Sequence, residues 1–186
     1  MLFNRHLELQ DKHAFLSPSS HSWLNYDEIK LESRFHTIRA ARRGTDLHKI
    51  AHEAIRLGVR FAENNQAMAD YVNDAIEFRM LCEQPLYYSD NCFGTPDTIS
   101  FRENLLRIHD LKTGIVPVKE KQLEVYAALF CLEYSVSPYD IDIELRIYQR
   151  EEIRIYDGVP SIIESIMDTI VRHDHQLQTI ISEEMA

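Results

Sequence analysis

Apolar residues recur along the chain at two different periods, and the changes of period mark its elements. Between about 36 and 65, in FHTIRAARRGTDLHKIAHEAIRLGVRFAEN, Leu47, Ile50, Ala51, Ala54, Ile55 and, after a small drift of phase, Val59 share one helical stripe. A second helix over about 66–83 aligns Met68, Tyr71, Val72, Ala75, Ile76 and Arg79. The pattern then becomes short and β-prone in PLYYSDNCFGTPDTISF and NLLRIHDLK, separated by a turn at RENL. Helical spacing returns over about 117–135 with Leu123, Tyr126, Ala127, Phe130 and Leu132. DIDIELRIYQR reads as a strand with EEIRIYD as its hairpin partner, and a last helix runs over about 159–182. Ahead of all these, in SPSSHSWLNYDEIKLE, Ser17, Ser19 or Ser20 is placed to cap a short helix bearing Trp23 and Leu24. The order helix, strands, helix, strand, helix predicts an α/β (α+β) fold, a mixed central sheet flanked by helices.

Length and composition narrow this picture. A chain of 186 residues, 45% apolar and 27% charged, predicts one globular domain, helical over about 1–84, with the sheet and later helices over about 85–186. No apolar run approaches the ~20 residues of a membrane span, and the N-terminus lacks the basic-then-apolar order of a signal peptide, so a cytoplasmic protein without membrane association is expected. Cys82, Cys92 and Cys131 are scattered and include no CxxC pair, which points to ordinary packing. A formal charge of −10 argues against a protein that coats nucleic acid by bulk electrostatics. It leaves room for a local basic groove.

The exceptions to the strand pattern carry the chemistry. Asp97 and Asp110 fall in apolar, strand-like surroundings, and Lys112 follows Asp110 by two positions. On a mixed sheet the two aspartates lie on neighbouring strands, and Asp110 and Lys112 project to one face. Burying such charges is costly without compensation, and a divalent cation supplies it, since hard oxygen ligands suit Mg2+ or Mn2+. A surface ion pair between Asp110 and Lys112, with Asp97 capping a turn, is the plainer alternative.

Taken together, PD at 96–97, twelve intervening residues and DLK at 110–112 resemble the signature of the PD-(D/E)XK nuclease superfamily. QLEVY at 122–126 is similar to the QxxxY motif of its RecB-like branch, with Gln122 and Tyr126 one helical turn apart. RGTDLHKIAHEAI resembles that branch's glycine-then-histidine helix and supplies His48. GTPD and DLKTG match in their flanking glycines, and SPSSHSWLN is similar to the branch's serine-rich, tryptophan-bearing helix. The resemblance spans roughly residues 14–150. It implies a restriction-endonuclease-like fold in which Asp97 and Asp110, His48 and the Leu111 carbonyl hold Mg2+ or Mn2+. Lys112 would then orient or help deprotonate the attacking water and neutralise charge on the phosphate. Gln122 and Tyr126 would bind a DNA phosphate or hold the lysine and the strand end in place.

The resemblance also implies a metal-dependent exonuclease that processes DNA ends in recombination or repair, of the free-standing phage type, with DNA as partner and room for a protein partner in recombination. An endonuclease of the same fold and a catalytically inactive binding module are the alternatives. Members with an iron-sulfur cluster hold it with four cysteines, so no cluster is expected here. Arg39, Arg42 and Arg43, with Lys119, Lys121 and Arg150, are candidates for a basic DNA-facing rim, and Gln149 or Arg150 for a place near the site. HKIAH also sets His48 and His52 at i and i+4, which suggests zinc, but Lys49 stands where a metalloprotease HExxH has its glutamate, and that reading is set aside. The sequence does not fix the oligomeric state.

Overall fold

The protein is described by a computed structural model covering residues 15, 16, 18–62, 66–114 and 119–184. It resolves into two compact units with the boundary between Thr45 and Asp46.

In the first unit a 3-10 helix, Pro18–Asn25, leads to helix α1, Glu28–Leu57, whose residues through Thr45 belong to this unit. Asp27 starts α1: its Oδ1 accepts the Lys30 N–H at 2.7 Å, satisfying a donor that a helix start leaves open. The helix therefore begins ahead of residue 36, where the apolar period first becomes visible. Ile29, Leu31 and Phe35 are exposed, so this stretch has no buried stripe to show. Trp23 is half-buried and Leu24 exposed. Ser17 and the side chains of Ser19 and Ser20, expected as caps, lie outside the described residues.

The second unit begins within α1. Ala51, Ala54 and Ile55 are buried as predicted and Leu47 is half-buried, but Ile50 and Val59 are about half exposed, at 54% and 51%. Gly58 is the reason for Val59. It adopts φ +68°, and the pair of bonds Gly58 N–H to Ile55 carbonyl and Val59 N–H to Ala54 carbonyl closes the helix end. Val59 thus lies past the helix instead of on its stripe. Helix α2, Ala67–Glu77, ends in the same way before residue 83, with Arg79 at φ +51° and Met80 N–H bonded to the Ala75 carbonyl. Arg79 is exposed there, and not on the buried stripe.

Strands β1 (Leu81–Cys82), β2 (Leu86–Ser89), β3 (Cys92–Gly94), β4 (Thr98–Arg102) and β5 (Leu105–Lys112) follow. Helix α3 (Lys121–Tyr134), strands β6 (Asp142–Gln149) and β7 (Glu152–Asp157) and helix α4 (Pro160–Glu184) complete the unit. Five strands form one mixed sheet in the order β1-β4-β5-β6-β7, while β2 and β3 pair separately. Among the described residues only β5 and β6 run parallel, joined through α3, as a crossover requires.

Strand alternation sends side chains to two cores. Leu106 and Ile108 of β5 and Ile143, Leu145 and Ile147 of β6 pack with Leu123, Ala127 and Phe130 of α3 and Ile163 of α4. On the opposite face, Leu111 and Tyr148 pack with Ala51, Ala54 and Ile55 of α1 and Tyr71, Val72 and Ala75 of α2. The sheet is therefore covered by helices on both faces. A polar network lies within the second layer: the Tyr148 hydroxyl donates to Asp74 Oδ2 at 2.6 Å, and Arg146 donates to Asp74 and Glu144 at 2.8 and 3.0 Å. The His109 imidazole 3.9 Å away and the Arg146 and Arg107 guanidinium groups overcome burial and lower the Glu144 carboxyl to about 2. Among the described residues no helix is long and apolar enough to cross a membrane.

Candidate functional site

All side chains of this site belong to the second unit. Asp110 and Lys112 lie on β5 with the i, i+2 spacing that turns them to one face, and the Lys112 ammonium sits 2.9 Å from Asp110 Oδ1. The strand brings both to its C-terminal end, beside the start of α3. There Lys112 Nζ also donates to Gln122 Oε1 at 3.2 Å, the Gln122 amide donates to the Tyr126 hydroxyl at 3.4 Å, and that hydroxyl donates to the Thr95 carbonyl at 3.0 Å. The i, i+4 pair on α3 thus links the lysine to the chain just ahead of Asp97.

Asp97 is not inside a strand, as the sequence pattern predicts, but in a bend one residue before β4. Pro96 has no N–H to give a ladder, and the Asp97 carbonyl is taken by the Glu83 N–H at 3.0 Å. The side chain nevertheless reaches β5. Its Oδ2 accepts the Leu111 N–H at 2.9 Å and lies 3.5 Å from His48 Nδ1. Leu111, predicted to contribute its carbonyl, thus also fixes Asp97 through its amide, while its side chain fills the core shared with α1 and α2.

The charges perturb one another in opposite senses. Burial and the negative charge of Asp97 together raise the Asp110 carboxyl above its ordinary value, against the pull of Lys112. Burial also works to raise Asp97, but the close His48 imidazole with its charge and the Leu111 amide outweigh it, and its carboxyl is held low. The same contact with Asp97 raises the His48 imidazole against burial. Asp110 is 4% exposed, and its second oxygen, Oδ2, is buried with no hydrogen-bond partner in the protein. An orphaned carboxylate oxygen beside a second carboxylate is an unfavourable arrangement that a divalent cation relieves. The residues present therefore fit a metal.

One imidazole nitrogen each from His48 and His52 and a carboxylate oxygen of Asp97 lie within 4.8 Å of one another, a ligand-type cluster among the described residues. The close cluster includes His52, which the sequence reading set aside, and does not include Asp110. A helical i, i+4 spacing was the signal for His52; the missing metalloprotease glutamate led away from it. Tyr71, predicted as a core residue, is fully buried and also bonds His52 Nε2 through its hydroxyl at 3.2 Å.

Gly94, ahead of the PD pair, has a packing reason. A Cβ there would stand 2.9 Å from Tyr126 Cε1, so the glycine admits the ring that reaches Thr95. Gln149 pairs in register with Lys112, is buried, donates to the Gly114 carbonyl at 2.7 Å and accepts from Arg154 at 2.8 Å. It secures the chain immediately after the lysine. Arg150 is exposed in the β6–β7 turn with φ +61°, and its carbonyl caps the start of α2 through the Ala67 N–H at 2.7 Å.

The residues expected to form a basic rim fall in both units. Arg39, Arg42 and Arg43 are exposed on α1 in the first unit, with Arg39 over the Phe35 ring. Lys119 is exposed ahead of α3, and Lys121 is drawn to Glu124 at 2.6 Å across one helical turn. No known family model matches the chain, and no curated protein matches its sequence.

Proposed function

We propose that the second unit is a metal-dependent DNA nuclease with a restriction-endonuclease-like core, of the PD-(D/E)XK type and its RecB-like branch, acting on DNA ends in recombination or repair in the cytoplasm. The observation that carries the reading is the convergence on one strand end of three separated sequence segments. Lys112 bridges Asp110 and Gln122, while Asp97 is tied to the same strand through Leu111. A salt bridge alone would not need Gln122, Tyr126 and Thr95 to line up behind it.

In this reading Asp97, Asp110, His48 and the Leu111 carbonyl hold Mg2+ or Mn2+, which when bound supplies Lewis acidity at the scissile phosphate and makes hydroxide accessible near neutral pH. The partnerless Asp110 Oδ2 offers an oxygen that no protein group occupies, and the lowered Asp97 carboxyl is kept ionised for a cation. Lys112 is a donor with no acceptor capacity as an ammonium. Held by Asp110 and Gln122, it orients water and offsets the charge that builds on the phosphate oxygens, a duty stronger in the transition state than in the ground state. Phosphodiester hydrolysis forms a bond from the water oxygen to phosphorus and breaks one to a sugar oxygen, which leaves with a proton. Gln122 fixes the lysine, and Tyr126 fixes Gln122 against Thr95. No sequence-reading element is needed, since contacts to phosphate position DNA without specifying bases.

The test is incubation of the purified protein with Mg2+ or Mn2+ and either end-labelled linear DNA or closed circular DNA. Release of nucleotides from linear DNA, with the circle left intact, is the expected result. Rapid nicking of the circle would favour an endonuclease of the same core. No hydrolysis of either substrate with either metal would overturn the proposal.

A further inference from the structure

The resemblance that motivates the nuclease reading accounts for one histidine, and the structure puts two at the site. His48 and His52 lie on one face of α1 a single turn apart, with ring centroids 6.0 Å apart and planes at 86°. Each contributes a nitrogen to the cluster with Asp97 in which all ligand atoms lie within 4.8 Å. Ligands about 2.1 Å from one ion sit roughly 3 Å from each other, so His48 and Asp97 at 3.5 Å are near bound spacing. Closing the rest takes a side-chain adjustment of about 1–2 Å by the same estimate.

His52 is held for such a role. It is 3% exposed, and its Nε2 is engaged by the hydroxyl of fully buried Tyr71 at 3.2 Å. Nδ1 is then the nitrogen left to an ion. It already faces negative charge, with Glu83 Oε1 at 3.5 Å and Glu83 itself clamped by Arg56 at 2.7 Å. Fixing one imidazole nitrogen by a hydrogen bond so that the other can ligate is a general device of metal sites. Asp110, whose carboxyl feels the charge of Asp97, keeps its Oδ2 buried without a protein partner, so a cation bound at this cluster would offset its charge as well.

We infer that His48, His52 and Asp97 form a two-imidazole, one-carboxylate site that selects a first-row transition ion such as Mn2+, Co2+ or Zn2+ over Mg2+. Imidazole nitrogen is a poor partner for Mg2+, which demands oxygen and keeps its waters, and a good one for the softer ions. The inference rests on the nuclease reading only for what the ion would do; the binding claim stands on this geometry. It differs from a metalloprotease zinc helix, because Lys49 cannot act as the general base that such a helix places there.

The experiment loads the whole protein with Mn2+ and counts coupled imidazole nitrogens by pulsed electron paramagnetic resonance, then titrates Co2+ against millimolar Mg2+ by optical absorption and calorimetry. Two coupled imidazoles and Co2+ binding that excess Mg2+ does not displace are expected. His52→Gln should weaken Co2+ by at least about tenfold while changing Mg2+ affinity by less than about twofold. One imidazole or none in the unmodified protein overturns the inference, and this measurement decides even if His52→Gln does not fold. Unchanged Co2+ affinity in folded His52→Gln overturns it as well. Two imidazoles in a protein that cleaves no DNA would keep this site and remove the nuclease reading; cleavage in Mg2+ with one imidazole would do the reverse.

Discussion

The amide of Leu111 donates to the carboxylate of Asp97 at 2.9 Å, so a residue outside the sheet is registered against the strand that carries Asp110 and Lys112. One backbone hydrogen bond thereby fixes the separation of two acids that belong to different segments. The sign of each acid's perturbation follows from that arrangement. Asp97 faces His48 and an N–H and is held low, while Asp110 is buried against Asp97 and is raised.

Asp110→Asn is expected to remove metal-dependent cleavage and, in a chelating buffer at neutral pH, to raise the melting temperature. A carboxyl raised in the folded state is one whose ionisation disfavours folding, so an isosteric neutral group relieves that cost. The gain should shrink as pH falls through the raised carboxyl value, because the native protein then protonates Asp110 itself. Thermal melts of both proteins across pH 4–8 without metal check the sign. A variant less stable than the parent at neutral pH would show that the Lys112 pairing outweighs burial.

His48 and Asp97 predict a different pH profile. The imidazole is raised above its ordinary 6.5, so its contribution is fully present below that value and is lost as pH rises through the folded value. The carboxyl is lowered below its ordinary 3.8, so its contribution is present above that value and is lost as pH falls through the folded value. The pair therefore stabilises the metal-free protein most between about 4 and 6.5. His48→Ala is expected to lower the melting temperature by on the order of 2 °C in that window, the scale of a pair worth less than ~1 kcal/mol in a chain of this size. The difference should fade on the alkaline side, and melts in chelating buffer from pH 4 to 9 measure it.

Lys112→Ala is expected to slow single-turnover cleavage by about a hundredfold, roughly 3 kcal/mol, while DNA affinity changes little. One cation among many phosphate contacts adds little to binding, whereas its effect on developing charge is specific to the transition state. Affinity measured in Ca2+, to hold DNA without turnover, separates the two. A large loss of affinity with a normal rate would take the catalytic role away from Lys112.

These side chains were legible in the sequence to different degrees, for physical reasons. Asp110 and Lys112 share a face because alternation within one strand requires it, and Gln122 and Tyr126 share one because a helical turn requires it. Local periodicity is enough for both. The mixed sheet flanked by helices was legible at the same level, from the order of periods. The helix ends were misplaced where the spacing ran on to or past a left-handed residue: Gly58 terminates α1 while Val59 still looks periodic, and Arg79, which fits the α2 stripe by spacing, is itself the left-handed residue beyond that helix. His52 was weighed only against a protease motif, because its relation to Asp97 depends on α1 packing beside a bend in a distant segment. The bond from Tyr148 to Asp74 was illegible altogether, joining α2 and β6 with no periodicity common to them.

The contact between Gly94 and Tyr126 gives the most local test of the α3 relay. A Cβ at residue 94 would fall 2.9 Å from Tyr126 Cε1, too close to stay, yet the atom it meets belongs to a side chain and not to backbone. Gly94→Ala should therefore fold while displacing the ring. Displacement withdraws the Tyr126 hydroxyl from the Thr95 carbonyl, and Gln122 loses the partner that orients its amide toward Lys112. The expected outcome is a fall in cleavage rate of about tenfold, the order of one lost neutral hydrogen bond expressed in the transition state. Tyr126→Phe should match it, since it deletes the same hydroxyl without the clash, and Gln122→Ala should cost more because it removes a direct contact to the ammonium. Single-turnover rates of the three variants decide the order. A Gly94→Ala protein as fast as the parent, with Tyr126→Phe slowed, would mean that the ring accommodates the methyl, and a parent-like rate in all three would detach α3 from the chemistry.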